Sequence, residues 1–272
     1  MIHSDQALQE AELTAEEIDR ILRICGPHAL LVGGQALATW AVYYDIEAVG
    51  ELSKGVTMDA DFIGTRDIAR ALQRRLGPPW KVREGTLDDA GGQVAKVYAT
   101  LPGEGIKQVD FLSGIVGLDT KTIRERASQL ILADDLIVHI LHPLDVLESR
   151  LRNLAVLSSK QNPVGVAQAR LAVKIARAFI ESHMSAGGNP RIVRQAVKRL
   201  EKAALDSQLS QVAFTYDIDV LAAVPAERIA YPSFHEKHWP SVLRRLESKR
   251  EKFLALQSRR RALRQRRRST SR

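Results

Sequence analysis

The chain has 272 residues, 45% apolar and 5% aromatic, with 40 basic and 32 acidic side chains and a net charge of +8. This length supports a well-buried core and two domains, and the composition is that of an ordinary globular protein. No run of 18 or more apolar residues occurs, the first residues lack the charged and apolar regions of a signal peptide, and the single Cys25 excludes an internal disulfide, so the expectation is a cytoplasmic protein with no membrane partner.

The first element is an amphipathic helix over 10–24, opened by the capping sequence Thr14-Ala15-Glu16-Glu17. Ala29-Leu30-Leu31-Val32 is a short apolar run of the buried-strand kind, stopped by Gly33-Gly34. Ala36, Leu37, Trp40, Ala41 and Tyr44 then recur at helical spacing, so the order is strand, Gly-Gly turn, helix. Such a turn sets backbone N–H groups beside bare glycines, where a phosphate can approach closely. Asp59 and Asp61 follow in a strand, and a helix over 65–76 is capped by Thr65 and ends at Gly77-Pro78-Pro79.

Strands are expected at 80–83, 93–100, 106–112 and 129–140, with Gly91-Gly92 and Gly103–Gly105 as hairpin turns, giving a mixed sheet with helices against it. Pro143 opens a helix striped by Leu144, Leu147, Leu151, Leu154 and Leu157. Beyond Asn162-Pro163 the pattern is helical over 164–183, 191–204 and 240 to about 262. The expected architecture is an α/β (α+β) domain over 1–142, a helical domain over 143–258 and a basic arginine-rich tail over 259–272.

Two carboxylates at i and i+2 of a strand project from one face, which suits a hard cation such as Mg²⁺ that a nucleotide phosphate completes. Alone, Asp59 and Asp61 read as the solvated face of an edge strand, and it is their context that points to a metal. Asp110, the only carboxylate of the strand Ile106–Leu112, reads alone as a strand-end residue and with the pair as the third ligand of a metal site.

With these residues in place the chain resembles the nucleotidyltransferase superfamily built on the DNA polymerase β core, over roughly residues 25–180. Gly33 and Gly34 match that family's nucleotide-phosphate turn, Asp59 and Asp61 its two metal ligands, and Asp110 its third carboxylate. The Gly33–Leu37 form and the block His142–Arg150 look most like the AbiEii-type enzymes of abortive infection and toxin–antitoxin systems. One departure is the 24-residue interval from Gly34 to Asp59, which requires an insertion around Asp45–Lys54 to loop out. The resemblance implies Mg²⁺ (or Mn²⁺), an NTP such as ATP, and transfer of NMP to a hydroxyl. It also implies a toxin or defence role and a cognate antitoxin. A cation must also meet the departing pyrophosphate, and Arg150, Arg152 and Lys160 are the candidates.

Eight arginines and no acid occur between Arg259 and Arg272, and residues 1–258 balance to zero, so the whole basic excess reads as the tail. Arg259, Arg260, Arg261, Arg264, Arg266, Arg267 and Arg268 then form an arm for RNA, including tRNA, or else a solvated terminal stretch. Two other functions stand beside nucleotidyl transfer to RNA. One is a noncatalytic nucleic-acid-binding or regulatory protein on the same core, and the other a small-molecule adenylyltransferase of the antibiotic-resistance kind. His235 and His238 lack the spacing and the further ligand of a zinc site, and His139 and His142 are expected to hydrogen-bond locally.

Overall fold

A computed structural model describes residues 11–47, 59–86, 92–101, 103, 105–132, 135–185 and 188–269, with the side chains of 264–269 excepted. The expected loop-out between Asp45 and Lys54 lies mostly outside the described residues, as does Gly91. The chain divides into two compact units, Met1–Arg150 and Leu151–Arg272. No described helix is long and apolar enough to cross a membrane.

The first unit is a seven-stranded mixed sheet with helices. In chain order it contains α1 (Ala15–Cys25), β1 (Leu30–Val32), α2 (Gly33–Tyr43), β2 (Ala60–Ile63), α3 (Arg66–Leu76), β3 (Lys81–Glu84), β4 (Gln93–Leu101), β5 (Gly105–Leu112), α4 (Thr120–Glu125), β6 (Ser128–Ile131) and β7 (Ile137–Ile140). The strand order is β3-β4-β5-β2-β1-β7-β6. Parallel pairing joins β2 to β5 and β1 to β7, and the other neighbours run antiparallel. The expected single strand over 129–140 is instead two antiparallel strands. Asp135, in the left-handed region at φ 56°, lies between them, and the apolar residues on both sides of Asp134-Asp135 made the segment read as one strand.

Local chemistry sets the element ends. Thr14 and Glu17 form a reciprocal capping box on α1, and Thr65 caps α3, which stops at Gly77 with φ 70°. Alternation along β2 and β5 sends Phe62 and Phe111 into the core, where their rings stack at 5.8 Å, and turns Asp61 and Asp110 to the other face.

The second unit is helical. The chain enters it within α5 (Pro143–Val156) and continues through α6 (Pro163–Met184), α7 (Pro190–Leu205), α8 (Ser207–Tyr216) and α9 (Trp239–Ser269). Asn162 and Asn189 cap α6 and α7, each followed by proline at the first helical position. Backbone helix continues through the arginine-rich segment as far as Ser269.

The division also redistributes the charge. Residues 1–150 hold 15 basic and 23 acidic side chains, a net −8, whereas residues 151–272 hold 25 and 9, a net +16. The reading that the whole basic excess is the tail is therefore corrected. Residues 151–258 carry 17 basic and 9 acidic side chains, and their +8 is concealed by the acidic first unit when the chain is summed whole.

Candidate metal and phosphate site

Register builds the site from adjacent strands. Val32 of β1 faces Asp61 of β2, Asp61 faces Asp110 of β5, and Asp110 faces Lys96 of β4. Asp59 lies two residues before Asp61, at the entry to β2. Each of the three acids is half-buried and offers an oxygen, and these oxygens all lie within 4.8 Å of one another. A hard oxygen donor set of that spacing fits a divalent cation of the Mg²⁺ or Mn²⁺ kind.

Gly33 closes one side of the cluster. It opens α2 immediately after β1 and has φ 65°, and a β-carbon built there would stand 1.8 Å from Oδ2 of Asp61. The absence of a side chain is what lets the Asp61 carboxylate sit against the start of the helix. No side chain caps that N-terminus, and Gly34 beside it is buried. The first-turn N–H groups therefore stand without a side-chain cap next to the three acids.

Asp110 is held by a network. Gln93 donates to its Oδ1 from 2.6 Å, the ammonium of Lys96 stands 3.5 Å from the same oxygen, and Lys96 donates to Oε1 of Gln108 at 2.8 Å. Burial lifts Asp110 above the ordinary carboxylate value and Asp59 adds to the rise, while Lys96 and Gln93 oppose it. Gln93, Lys96 and Gln108 were not anticipated from sequence. The ladder shifts register between Gln93 and Ala95, and this bulge re-aims Gln93 in a way that period-two alternation does not foretell.

Of the candidate cations, Arg150 belongs to the first unit. It is 6% exposed, and burial pushes its guanidinium below the usual range while the charges of Asp61 and Asp59 pull it back up. Arg152 is half-buried on α5 and Lys160 is exposed on a following 3₁₀ turn, both in the second unit. Arg259, Arg260 and Arg261 are exposed on α9, whereas the side chains of Arg264, Arg266, Arg267 and Arg268 lie outside the described residues.

Three of the histidines have side-chain partners among the described residues. His142 Nδ1 accepts from the Leu144 N–H at the start of α5, His235 contacts the Ile229 carbonyl, and His238 pairs with Glu201. Cys25 is buried and its thiol is pushed up to about 12 by desolvation, which makes it inert as a nucleophile.

No protein-family model matches the chain, and no curated protein sequence matches it. Two solved structures from Helicobacter pylori are similar at a low level. One, described as a candidate nucleotidyltransferase, is 10% identical, with a TM-score of 0.35 over 90% of this chain and 99% of that one. The other, JHP933, is 12% identical, with a TM-score of 0.37 over 93% of this chain and 99% of that one. Likeness of this degree leaves the chemistry to be read from the site itself.

Proposed function

We propose that the chain is a divalent-metal-dependent nucleotidyltransferase that moves a nucleoside monophosphate from an NTP to a hydroxyl acceptor. The observation that carries this reading is the convergence of Asp59, Asp61 and Asp110 within 4.8 Å beside the uncapped helix start at Gly33. Asp59, Asp61 and Asp110 would hold Mg²⁺ or Mn²⁺, which when bound neutralises the phosphate charge and lowers the pKa of a coordinated oxygen. The chain's own residues then have distinct tasks. Gly33 and Gly34 present backbone N–H groups to a phosphate. Gln93 and Lys96 fix the orientation of Asp110, which accepts the proton of the attacking hydroxyl. Arg150 offsets part of the negative charge of Asp59 and Asp61. Arg152 and Lys160 are the further candidates for the departing pyrophosphate, where a cation stabilises developing charge.

RNA is the acceptor favoured by the acid-free arginine stretch from Arg259. Incubation with each labelled NTP, Mg²⁺ and total RNA or total protein tests the assignment, with label expected in RNA. Replacing Asp59 or Asp61 by Asn should cut transfer roughly a thousandfold or more, since several kcal/mol of charge compensation is removed, while circular dichroism stays unchanged. Near-normal transfer by Asp61→Asn would mean that the catalytic centre lies elsewhere. A toxin or phage-defence role with a cognate antitoxin follows from the AbiEii resemblance. Growth arrest on expression, relieved by Asp61→Asn, is the outcome expected of it.

A further inference from the structure

The second unit contains a concave site that nucleotidyl transfer leaves unused. It is a cavity of about 610 Å³ formed where the end of α6, the first turns of α7 and the segment Arg228–His238 meet. Its lining is of two kinds. Val193, Val197 and Ile229 give an apolar floor, with the rings of Tyr231 and Phe234 beside it. Tyr231 is 63% exposed at the cavity, which leaves its ring open to a flat partner.

The rim is cationic. Arg194 and Lys198 lie one turn apart on α7 and both are exposed, and Arg228 is a third basic side chain of the lining, which also includes His238. No acidic side chain lines the cavity among the described residues. Glu181 and Glu201, outside the lining, stand 3.9 Å from Arg228 and 2.6 Å from His238. Phe234–His238 forms a π-helical turn, a distortion that recurs at functional sites and that here groups the Phe234 ring with His238 at 5.7 Å.

A flat ring next to the exposed cations Arg194 and Lys198 is complementary to a base joined to its phosphate. We propose that this cavity binds a nucleotide unit of single-stranded nucleic acid, the base stacking on Tyr231 and the flanking phosphates meeting Arg194 and Lys198. A strand rather than a free nucleotide is favoured by charge. The unit that holds the cavity carries +16 overall and still +8 without Arg259–Arg272, more than one mononucleotide can use. Naming the strand as the acceptor rests on the nucleotidyltransferase reading, whereas the binding itself does not.

The test is fluorescence anisotropy of the full chain with a short labelled oligoadenylate, without NTP or added metal, so that failure of the catalytic reading leaves the result intact. Tyr231→Ala should weaken binding about tenfold at an unchanged melting temperature, and Tyr231→Phe should restore it, as expected of stacking on a ring face. Arg194→Ala and Lys198→Ala should each flatten the log–log salt dependence by about 0.7. Heparin, a polyanion without bases, should not distinguish Tyr231→Ala from the parent. Unchanged oligoadenylate affinity in Tyr231→Ala would overturn the proposal. AMP competing as effectively as the oligonucleotide would overturn the strand as occupant.

Discussion

A β-carbon at Gly33 would meet Oδ2 of Asp61 at 1.8 Å and would also have to adopt φ 65°. Gly33→Ala should therefore cost about 2 kcal/mol, since a left-handed non-glycine residue alone costs roughly 1–2 kcal/mol. It should also displace a metal-site carboxylate. A lower melting temperature together with at least a tenfold loss of Mn²⁺ affinity by calorimetry is expected, and normal affinity would mean that Asp61 is not a ligand. Away from the site, Glu17 sits in a different electrostatic setting. Burial raises its pKa, but the Thr14 N–H and Lys107, whose ammonium is 2.9 Å away, outweigh this and leave it below the ordinary carboxylate value. A carboxylate depressed on folding contributes stability above its unfolded pKa and loses it as pH falls through the folded one. Glu17→Gln should cost about 1 kcal/mol at neutral pH, a figure discounted for solvent screening. The deficit should shrink below the ordinary carboxylate range, as urea melts at neutral and acid pH would show.

Among the elements, α5 is anchored at its first turn by a two-pronged ion pair. Arg126, just past α4, reaches Asp145 with Nη2 at 2.7 Å and Nε at 3.2 Å, and the Asp145 side chain is fully buried. Because Arg126 is itself 37% exposed, its loss should cost less than breaking a wholly buried pair, about 2–3 kcal/mol for Arg126→Met. Arg126→Lys should recover only part of this, since an ammonium does not match both oxygens, and a Lys variant that melts at the parent temperature would show that the pairing geometry is unimportant. This block also shows what a sequence makes legible. Gly33, Asp59, Asp61 and Asp110 stood out because strand period and a Gly-Gly stop are local signals. The pairing of Asp145 with Arg126, the burial of Arg150 and the Gln93–Lys96–Gln108 network depend on which strands and helices become neighbours, and no local pattern encodes that. The break at Asp135 was missed because the apolar residues on both sides of Asp134-Asp135 read as one continuous strand.

At the scale of the molecule, the two units carry opposite net charges, and binding of a nucleic-acid partner can be tested on that division. If the arginine stretch alone bound nucleic acid, removing Arg259–Arg272 would abolish binding. Residues 151–258 keep 17 basic against 9 acidic side chains, so a chain ending at Ser258 should still bind, more weakly and with a shallower salt dependence. The segment removed is exposed helix where its side chains are described, and α9 is packed earlier, with Phe253 against Phe214 at 5.6 Å, so the truncated protein should melt at the parent temperature. Each phosphate neutralised on a single strand adds about −0.7 to the log–log slope, so losing eight arginines should reduce the slope by up to about 5 to 6 without bringing it to zero. Arg194→Ala and Lys198→Ala in the truncated chain should then each flatten the remaining slope by about 0.7. Titration against oligoadenylate at several salt concentrations measures both steps. Loss of all binding on truncation alone would assign the polyanion contacts to the arginine stretch, whereas an unchanged slope would leave that stretch with no part in them.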